Sequence, residues 1–555
     1  MTRSPGTAII PARRDVFAAK NKTISKQSFL QGTAILTMGA ILSKIIGALF
    51  KIPLTRLITT QGAGHFAVAY NIYIVLLNIS STGLPIAVSR LISQAHTLQD
   101  RRRTQMLHRT SLLLFLGIGL VTGGAMLAFA PQIADWMRDP DAVYAIAALA
   151  PAVLFVCVSS AFRGYFQGQQ YMTPTAVAQV LEAFSKLFLG LLGAFLALRA
   201  GWSYPMAAGA SILGVTVGAM LGSLYFYLRY RRFPAVREAR SIPKGETAPS
   251  WAAAREILRL AIPITLGATG FQIINVLCSK VILGRLQDSL LLPLEQASSL
   301  LGIYTNAQTL YLLPSALAQP LAVSIVPAIT EAISLGQRTE CQKKTESAIR
   351  VVGLIAIPCG VGLCVLSAPI QGLLYGYDAA ALAIAGPVLR VLGLSSILYC
   401  FVLVTNAVLQ AHGKVYISVY TTVIGGLVCL ISTYILVGRP ELQIYGAALG
   451  TAVYGLIAVA INIAAIKRLP QPPGFLAQLY KTAGAALVMA LGAGGSYALT
   501  HQVLLAVLTA GILYAAMVYG MKVLTWYDCC LFSKGEKIAR MLHITNPNPQ
   551  EDDVS

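Results

Sequence analysis

Three cations sit where water should be scarce. The stretch Gly39–Leu57, GAILSKIIGALFKIPLTRL, lies in the first apolar run, which begins near Phe29. A run of that length crosses a bilayer. Lys44 falls near its middle, Lys51 roughly two turns further on and Arg56 close behind. A cation at the centre of a membrane helix costs roughly 2.5–3.5 kcal/mol on insertion scales, so it faces a wet cavity or a partner. The run holds no carboxylate to pair with Lys44. The chemistry this points to is a positively charged cavity that takes an anion. Lys51 and Arg56, nearer the end, also fit side chains that snorkel to the interface; Lys44 fits that poorly.

Further ionisable residues lie within or at the edge of later apolar runs: Arg90, Arg163, Glu182, Lys186, Lys280 and Arg390. Glu182 and Lys186 are four apart in the favourable order, which reads as an internal ion pair or as a cation-coupling site. Arg90 and Arg163 suit lipid phosphates as well as a substrate. Asn71, Asn78, Asn306, Gln308 and Asn406 suit hydrogen bonds between helices. The six histidines are scattered, and neither HExxH nor a P-loop occurs. The outer loops are short, and Asp135–Asp141 reads as a solvated loop, so an enzyme is not expected.

The elements that must carry these residues are membrane helices. Of 555 residues, 56% are hydrophobic and 11% charged, with mean hydropathy +0.69. A soluble chain carries about 25% charged residues. Net charge is +21, but the positives lie in short loops between apolar runs, which makes nucleic acid an unneeded partner. Nine cysteines lie mainly in apolar runs without metal spacing, so neither a metal nor a disulfide is expected. Cys529-Cys530 could be palmitoylated, though unmodified thiols fit better.

Fourteen spans are expected, centred on 29–51, 64–90, 107–130, 143–163, 173–198, 205–228, 257–282, 299–328, 348–368, 382–410, 415–437, 443–466, 476–498 and 502–524. With both termini in the cytoplasm, twenty-five basic residues fall in inner segments and five in outer loops: Arg56, Arg138, Arg199, Arg285 and Arg439. The positive-inside rule thus favours an even count. Trp251–Arg259 reads as an amphipathic lead-in on the membrane surface.

The chain also repeats itself. Lys51-Ile-Pro-Leu-Thr-Arg56-Leu57 matches Lys280-Val-Ile-Leu-Gly-Arg285-Leu286, and Pro85–Ser89 (PIAVS) matches Pro320–Ser324 (PLAVS). Phe166-Gln167-Gly168 matches Leu409-Gln410-Ala411; the three offsets are 229, 235 and 243. Two six-helix lobes pointing the same way, with a site between them, follow from that spacing. The expected division is a basic tail (1–28), an N-lobe (29–228), a linker (229–256), a C-lobe (257–467), two extra helices (468–530) and a second tail (531–555).

Several stretches resemble one family. SKIIGALFKIPLTRLI, GAGHFAVAYNIYIVLL, STGLPIAVSRLIS, RGYFQGQQYMTPTAVAQVLEAFSKL, AIPITLGATGF and NAVLQAHGK are similar to the stage V sporulation protein B group of polysaccharide transporters. That group shares the MOP superfamily with the lipid II flippases and the MATE drug exporters. The likeness runs from about Phe29 to Lys534, and RGYFQGQQYMTPTAVAQ is its most specific part. It implies fourteen helices in two lobes, alternating access, and export of an undecaprenyl-diphosphate-linked saccharide. It implies that Lys44 in Ser43-Lys44-Ile45-Ile46-Gly47 stands where the family carries an arginine, with Arg90 as a looser match. The flippases also carry a basic residue in helix eight. None lies between Ser299 and Thr330 here, so Lys280 is the substitute. The last two helices would form a groove for the lipid tail.

The substrate-binding candidates are therefore Lys44, Lys51, Arg56, Arg90 and Lys280, with Glu182 and Lys186 as a coupling site or structural pair. The first reading is a flippase in the cell membrane, monomeric, contacting anionic lipids and cell-wall synthesis enzymes, and serving peptidoglycan or spore cortex. It needs no cofactor; Na⁺, H⁺ or the membrane potential would drive it. A MATE-type cation-coupled drug exporter is the second reading, and a non-transporting scaffold of a cell-wall synthesis complex the third.

Overall fold

A computed structural model describes residues 29–233, 236, 248–470, 472–525 and 528. Arg237, Arg240, Lys244, Cys529, Cys530 and both tails lie outside the described residues. Every regular element within them is helical. The first four helices are α1 (Phe29–Asn78), α2 (Leu84–Thr97), α3 (Arg101–Ala128) and α4 (Ala130–Trp136). They are followed by α5 (Val143–Gly168), α6 (Thr173–Arg199), α7 (Tyr204–Arg232) and α8 (Trp251–Asp288). Then come α9 (Leu294–Tyr311), α10 (Leu313–Ser334), α11 (Arg338–Val365), α12 (Ser367–Tyr375) and α13 (Ala379–Ala411). The last are α14 (Val415–Val437), α15 (Tyr445–Ile466), α16 (Phe475–Thr500) and α17 (Val503–Gly520).

Twelve helical stretches among the described residues are long and apolar enough to cross a membrane. One of them, Ile35–Asn78, runs from the first expected span into the second without a loop. Its break is a single residue, Thr59, at φ 63° and ψ −178°. A β-branched residue rarely enters that region, so tertiary packing must hold it there. The chain turns back at this point. Phe50 and Phe66 are sixteen residues apart, which is about 24 Å along a straight helix, yet their ring centroids lie 5.9 Å apart. The loop expected around Arg56 is absent, because helical backbone runs on to Ile58.

The seventh expected span lies within α8, which is not among the twelve. The surface lead-in expected at Trp251–Arg259 is instead the continuous first part of that helix. Between α1 and α2 a π-turn, Ile79–Gly83, joins Asn78 to Leu84. Gly83 is needed there. A Cβ would collide with the Thr265 hydroxyl and come within 2.6 Å of the Ala261 carbonyl on α8.

Helices pack mainly in two sets. In the first, α6 lies on α7, both α3 and α7 lie on α5, and α1 lies on α6. In the second, α13 packs on α10, α11 and α15, α14 packs on α15 and α8, and α16 pairs with α17 against α11. Small residues allow the close approach of α6 to α7. Any side chain at Gly214 would collide with the backbone at Gly190, the usual way helices associate in lipid.

The two sets meet along α1 and α9. A Cβ at Gly64 would strike the Ser298 carbonyl, and one at Gly302 would strike the Thr60 carbonyl. Arg138 and Asp288 form an exposed ion pair 3.0 Å long near the same end. Thr55 and Asn306 are hydrogen-bonded at 3.3 Å, and both are buried. These contacts seal one end of the contact between the sets.

Candidate functional site

Behind that seal lies a cavity of about 700 Å³. Its walls come from both sets of helices: α1, α6 and α7 on one side, and α9, α10 and α13 on the other. Lys44, Lys51, Lys186 and Glu182 are the charged residues that line it. Three lysines against one glutamate leave the lining at +2 when all four are ionised.

Each lysine is held differently. Lys44 is exposed to the cavity, and its ammonium donates to Gln319 Oε1 on α10 at 2.7 Å. Lys51 is half-buried and donates to the Thr305 carbonyl on α9 at 2.7 Å. Lys186 donates to the Tyr70 hydroxyl at 3.1 Å. Its Nζ also lies 4.2 Å from the Tyr70 ring centroid, 5.0 Å from Phe50 and 5.9 Å from Phe66. Those rings attract a cation through their negative faces. They come together only because α1 folds back at Thr59, which puts Phe50 and Phe66 on the same side of Lys186.

Glu182 and Lys186 make no ion pair. The aromatic cage takes the ammonium, while the carboxylate leans on α7, where a Cβ on Gly222 would lie 2.7 Å from Oε1. Lys186 therefore joins the cavity cations rather than neutralising Glu182.

Three of the sequence candidates are not brought to the cavity. Arg56 donates to the carbonyls of Leu373 and Leu374, the latter at 2.8 Å, in the last turn of α12. Helix C-terminal carbonyls lack internal partners and favour cations. Arg90 is exposed on α2. The Lys280 ammonium sits 3.9 Å above the Trp136 ring. It therefore does not stand in as the missing cation of the eighth expected span.

Sequence reasoning also missed a buried pair. Asp139, read as part of a solvated loop, is fully buried, and both its oxygens lie within 2.9 Å of His65 Nδ1. Nothing in the spacing of residues 65 and 139 announces this. The short helix α4 tucks the segment under α1, and Asp139-Pro140 then starts a helical turn.

The chain matches the family described as polysaccharide biosynthesis protein over residues 29–333. It belongs to that family. A second match, to the family described as MatE, covers residues 297–435. Among curated relatives, stage V sporulation protein B of Bacillus subtilis (strain 168) is 29% identical over 453 residues, which is 80% of this chain and 84% of the relative. The lipid II flippase MurJ of the same organism is 26% identical, over 79% of this chain and 82% of the flippase. Among solved structures, a lipid II flippase MurJ in an inward closed conformation aligns with TM-score 0.65 at 16% identity, covering 88% of this chain and 98% of that one. An inward-facing MATE family multidrug transporter of the MOP superfamily aligns with TM-score 0.63 at 17% identity, covering 80% and 100%. The fold is that of these transporters, and this family member is a multi-pass membrane protein.

Proposed function

We propose that this family member carries a lipid-linked saccharide diphosphate across the cell membrane by alternating access through the cavity. The observation that supports it best is the lining: three lysines against one glutamate in a chamber walled by both helix sets. A diphosphate diester brings two negative charges. Burying unpaired polar groups in hydrocarbon costs several kcal/mol each, and charges cost far more. A lysine-lined chamber replaces that with paired burial. An inside-negative potential helps, since outward movement of about two negative charges gains roughly 4–5 kcal/mol per 100 mV. No nucleotide is required.

In this reading the two helix sets are the N- and C-lobes, the fourteen spans place both termini in the cytoplasm, and α16 and α17 hold the lipid tail. The seal at Thr60 and Gly302 is the outer gate, so the cavity faces inward. The relatives named for lipid II and for stage V sporulation favour a peptidoglycan or spore-cortex precursor as cargo.

Glu182 in the same cavity favours one competing reading, a cation-coupled drug exporter. Liposomes holding the purified protein separate the two. We expect inward-facing protein to bind an undecaprenyl-diphosphate disaccharide, and to lose that binding when Lys44, Lys51 and Lys186 are all changed to glutamine. Unchanged binding by the triple variant, or export of an organic cation that depends on Glu182, would overturn the proposal.

A further inference from the structure

A second cavity shares no lining residue with the first. It measures about 320 Å³ and opens between α3 and α7, with Phe162 of α5 in its wall. Both α3 and α7 pack on α5, which makes α5 the floor of the groove between them. Gln105, His108, Arg109, Tyr227, Tyr230 and Arg231 are the polar groups around it.

His108 is the unusual member. It is 1% exposed, and neither ring nitrogen has a hydrogen-bond partner among the described residues. Its ring is wedged among Tyr230 at 4.5 Å, Tyr165 at 4.6 Å and Phe162 at 5.3 Å. The Tyr230 hydroxyl is committed to Gln105 Oε1 at 3.0 Å. A buried imidazole without partners loses its hydrogen bonds to water and gets nothing back, so a ligand at this spot would recover them.

The surface around the mouth says what kind of ligand. On α7, Met220, Leu224, Tyr227 and Arg231 fall on one face at helical spacing, and the first three are 41%, 48% and 45% exposed. On α3, Arg109, Leu113, Leu116 and Leu120 form a matching stripe, with Leu113 and Leu120 each 55% exposed. Two apolar stripes therefore run from the bilayer toward the same pocket, and each ends in an arginine. Basic pockets between membrane helices recognise phosphate headgroups in this way.

We propose that this pocket holds the phosphate headgroup of an anionic phospholipid. Its acyl chains lie along the α3 and α7 stripes, Arg109 and Arg231 supply the charge, and His108 donates a ring N–H to a phosphate oxygen. The site is separate from the transport cavity and stands or falls without it.

Native mass spectrometry of the full chain, purified in detergent, tests this with added phosphatidylglycerol, phosphatidylcholine or glycerol 3-phosphate. One phosphatidylglycerol should be retained about tenfold better than phosphatidylcholine. Arg231→Gln, an exposed change that leaves the helix packing intact, should remove most of that preference. His108→Phe should do the same by filling the pocket. Arg439→Gln, far away in sequence on another loop, should leave it unchanged. Equal retention of the two lipids, full preference in R231Q, or displacement of the lipid by millimolar glycerol 3-phosphate would each overturn the assignment; the last would make it a site for free phosphate.

Discussion

Lys51 and Lys44 should not contribute equally to anion binding, and the difference can be worked from their surroundings. A phosphate 4 Å from an ammonium gains about 4 kcal/mol at an effective dielectric of 20, and about 1 kcal/mol in bulk water. Lys51 is half-buried between α1 and α9, so the first figure applies. Engaging a phosphate costs Lys51 its bond to the Thr305 carbonyl, and hydrogen bonds to charged groups are worth about 1.5–3 kcal/mol. The net is around 2 kcal/mol, or roughly a thirtyfold loss of affinity in Lys51→Gln. Lys44 is exposed to the cavity, so water screens it and Lys44→Gln should lose only a few-fold. Equilibrium binding of an undecaprenyl-diphosphate disaccharide to each purified variant measures both. Raising salt from 0.15 M to 1 M shortens the screening length from about 8 Å to about 3 Å. That should erase the Lys44 effect and spare most of the Lys51 effect. If Lys44→Gln is the more damaging change, or if neither moves affinity twofold, the picture of a graded cationic chamber is wrong.

Other consequences follow from the same geometry. Gly302→Val places a side chain against the Thr60 carbonyl, so it should hold the sealed end open; maleimide labelling of a cysteine at Thr60 should rise several-fold, and no change would remove the gate. Asp139→Ala leaves His65 buried without its partner, and an unsatisfied buried polar group costs about 1–3 kcal/mol, visible as a lower melting temperature. Asp139→Asn keeps a hydrogen-bonding oxygen and should cost much less. Gln319→Ala releases Lys44 from its 2.7 Å bond and should tighten anion binding up to threefold; a loss as large as that of Lys44→Gln would place Gln319 on the substrate instead.

Composition and periodicity carried the fold class, since runs of apolar residues bounded by charge can only be membrane helices. Lys44 was legible for the same reason: a lone cation in hydrocarbon needs water, and it lines the cavity. What sequence could not supply was the path of the chain. The break between the first two expected spans is marked by Thr59-Thr60-Gln61-Gly62-Ala63-Gly64, but nothing in it says that one residue, held by the packing of α1 on α6 and α9, makes the turn in place of a loop. Without that turn, Phe50, Phe66 and Tyr70 do not converge, and Lys186 looks like the partner of Glu182 four residues away. Helical spacing was right about their neighbourhood but silent on the aromatic cage that outcompetes the carboxylate. The resemblance did not place Lys280, the substitute it suggested for a basic residue in helix eight. Lys280 aligns with Lys51, yet the two ammonium groups have different neighbours, a tryptophan ring in one case and a backbone carbonyl in the other.

The lysine contacts also bear on how binding and movement could be linked. Lys44 and Lys51 both sit on α1, and both bond to the opposite helix set, at Gln319 and Thr305. An empty cavity is therefore tied across by the same two ammonium groups that we infer hold the anion. A ligand shifts a conformational equilibrium only by its differential affinity for the two states. An anion that takes over these ammonium groups competes with the ties, so it binds best where the helix sets have already drawn apart. Lysine suits that exchange. Its ammonium is a point charge with three donors on a flexible stem, free to trade a carbonyl for a phosphate, whereas the planar fork of an arginine fixes its partners in one geometry. Lys44→Arg should then strengthen the hold on a bound diphosphate and slow its release, and an unchanged dissociation rate in purified protein would refute this.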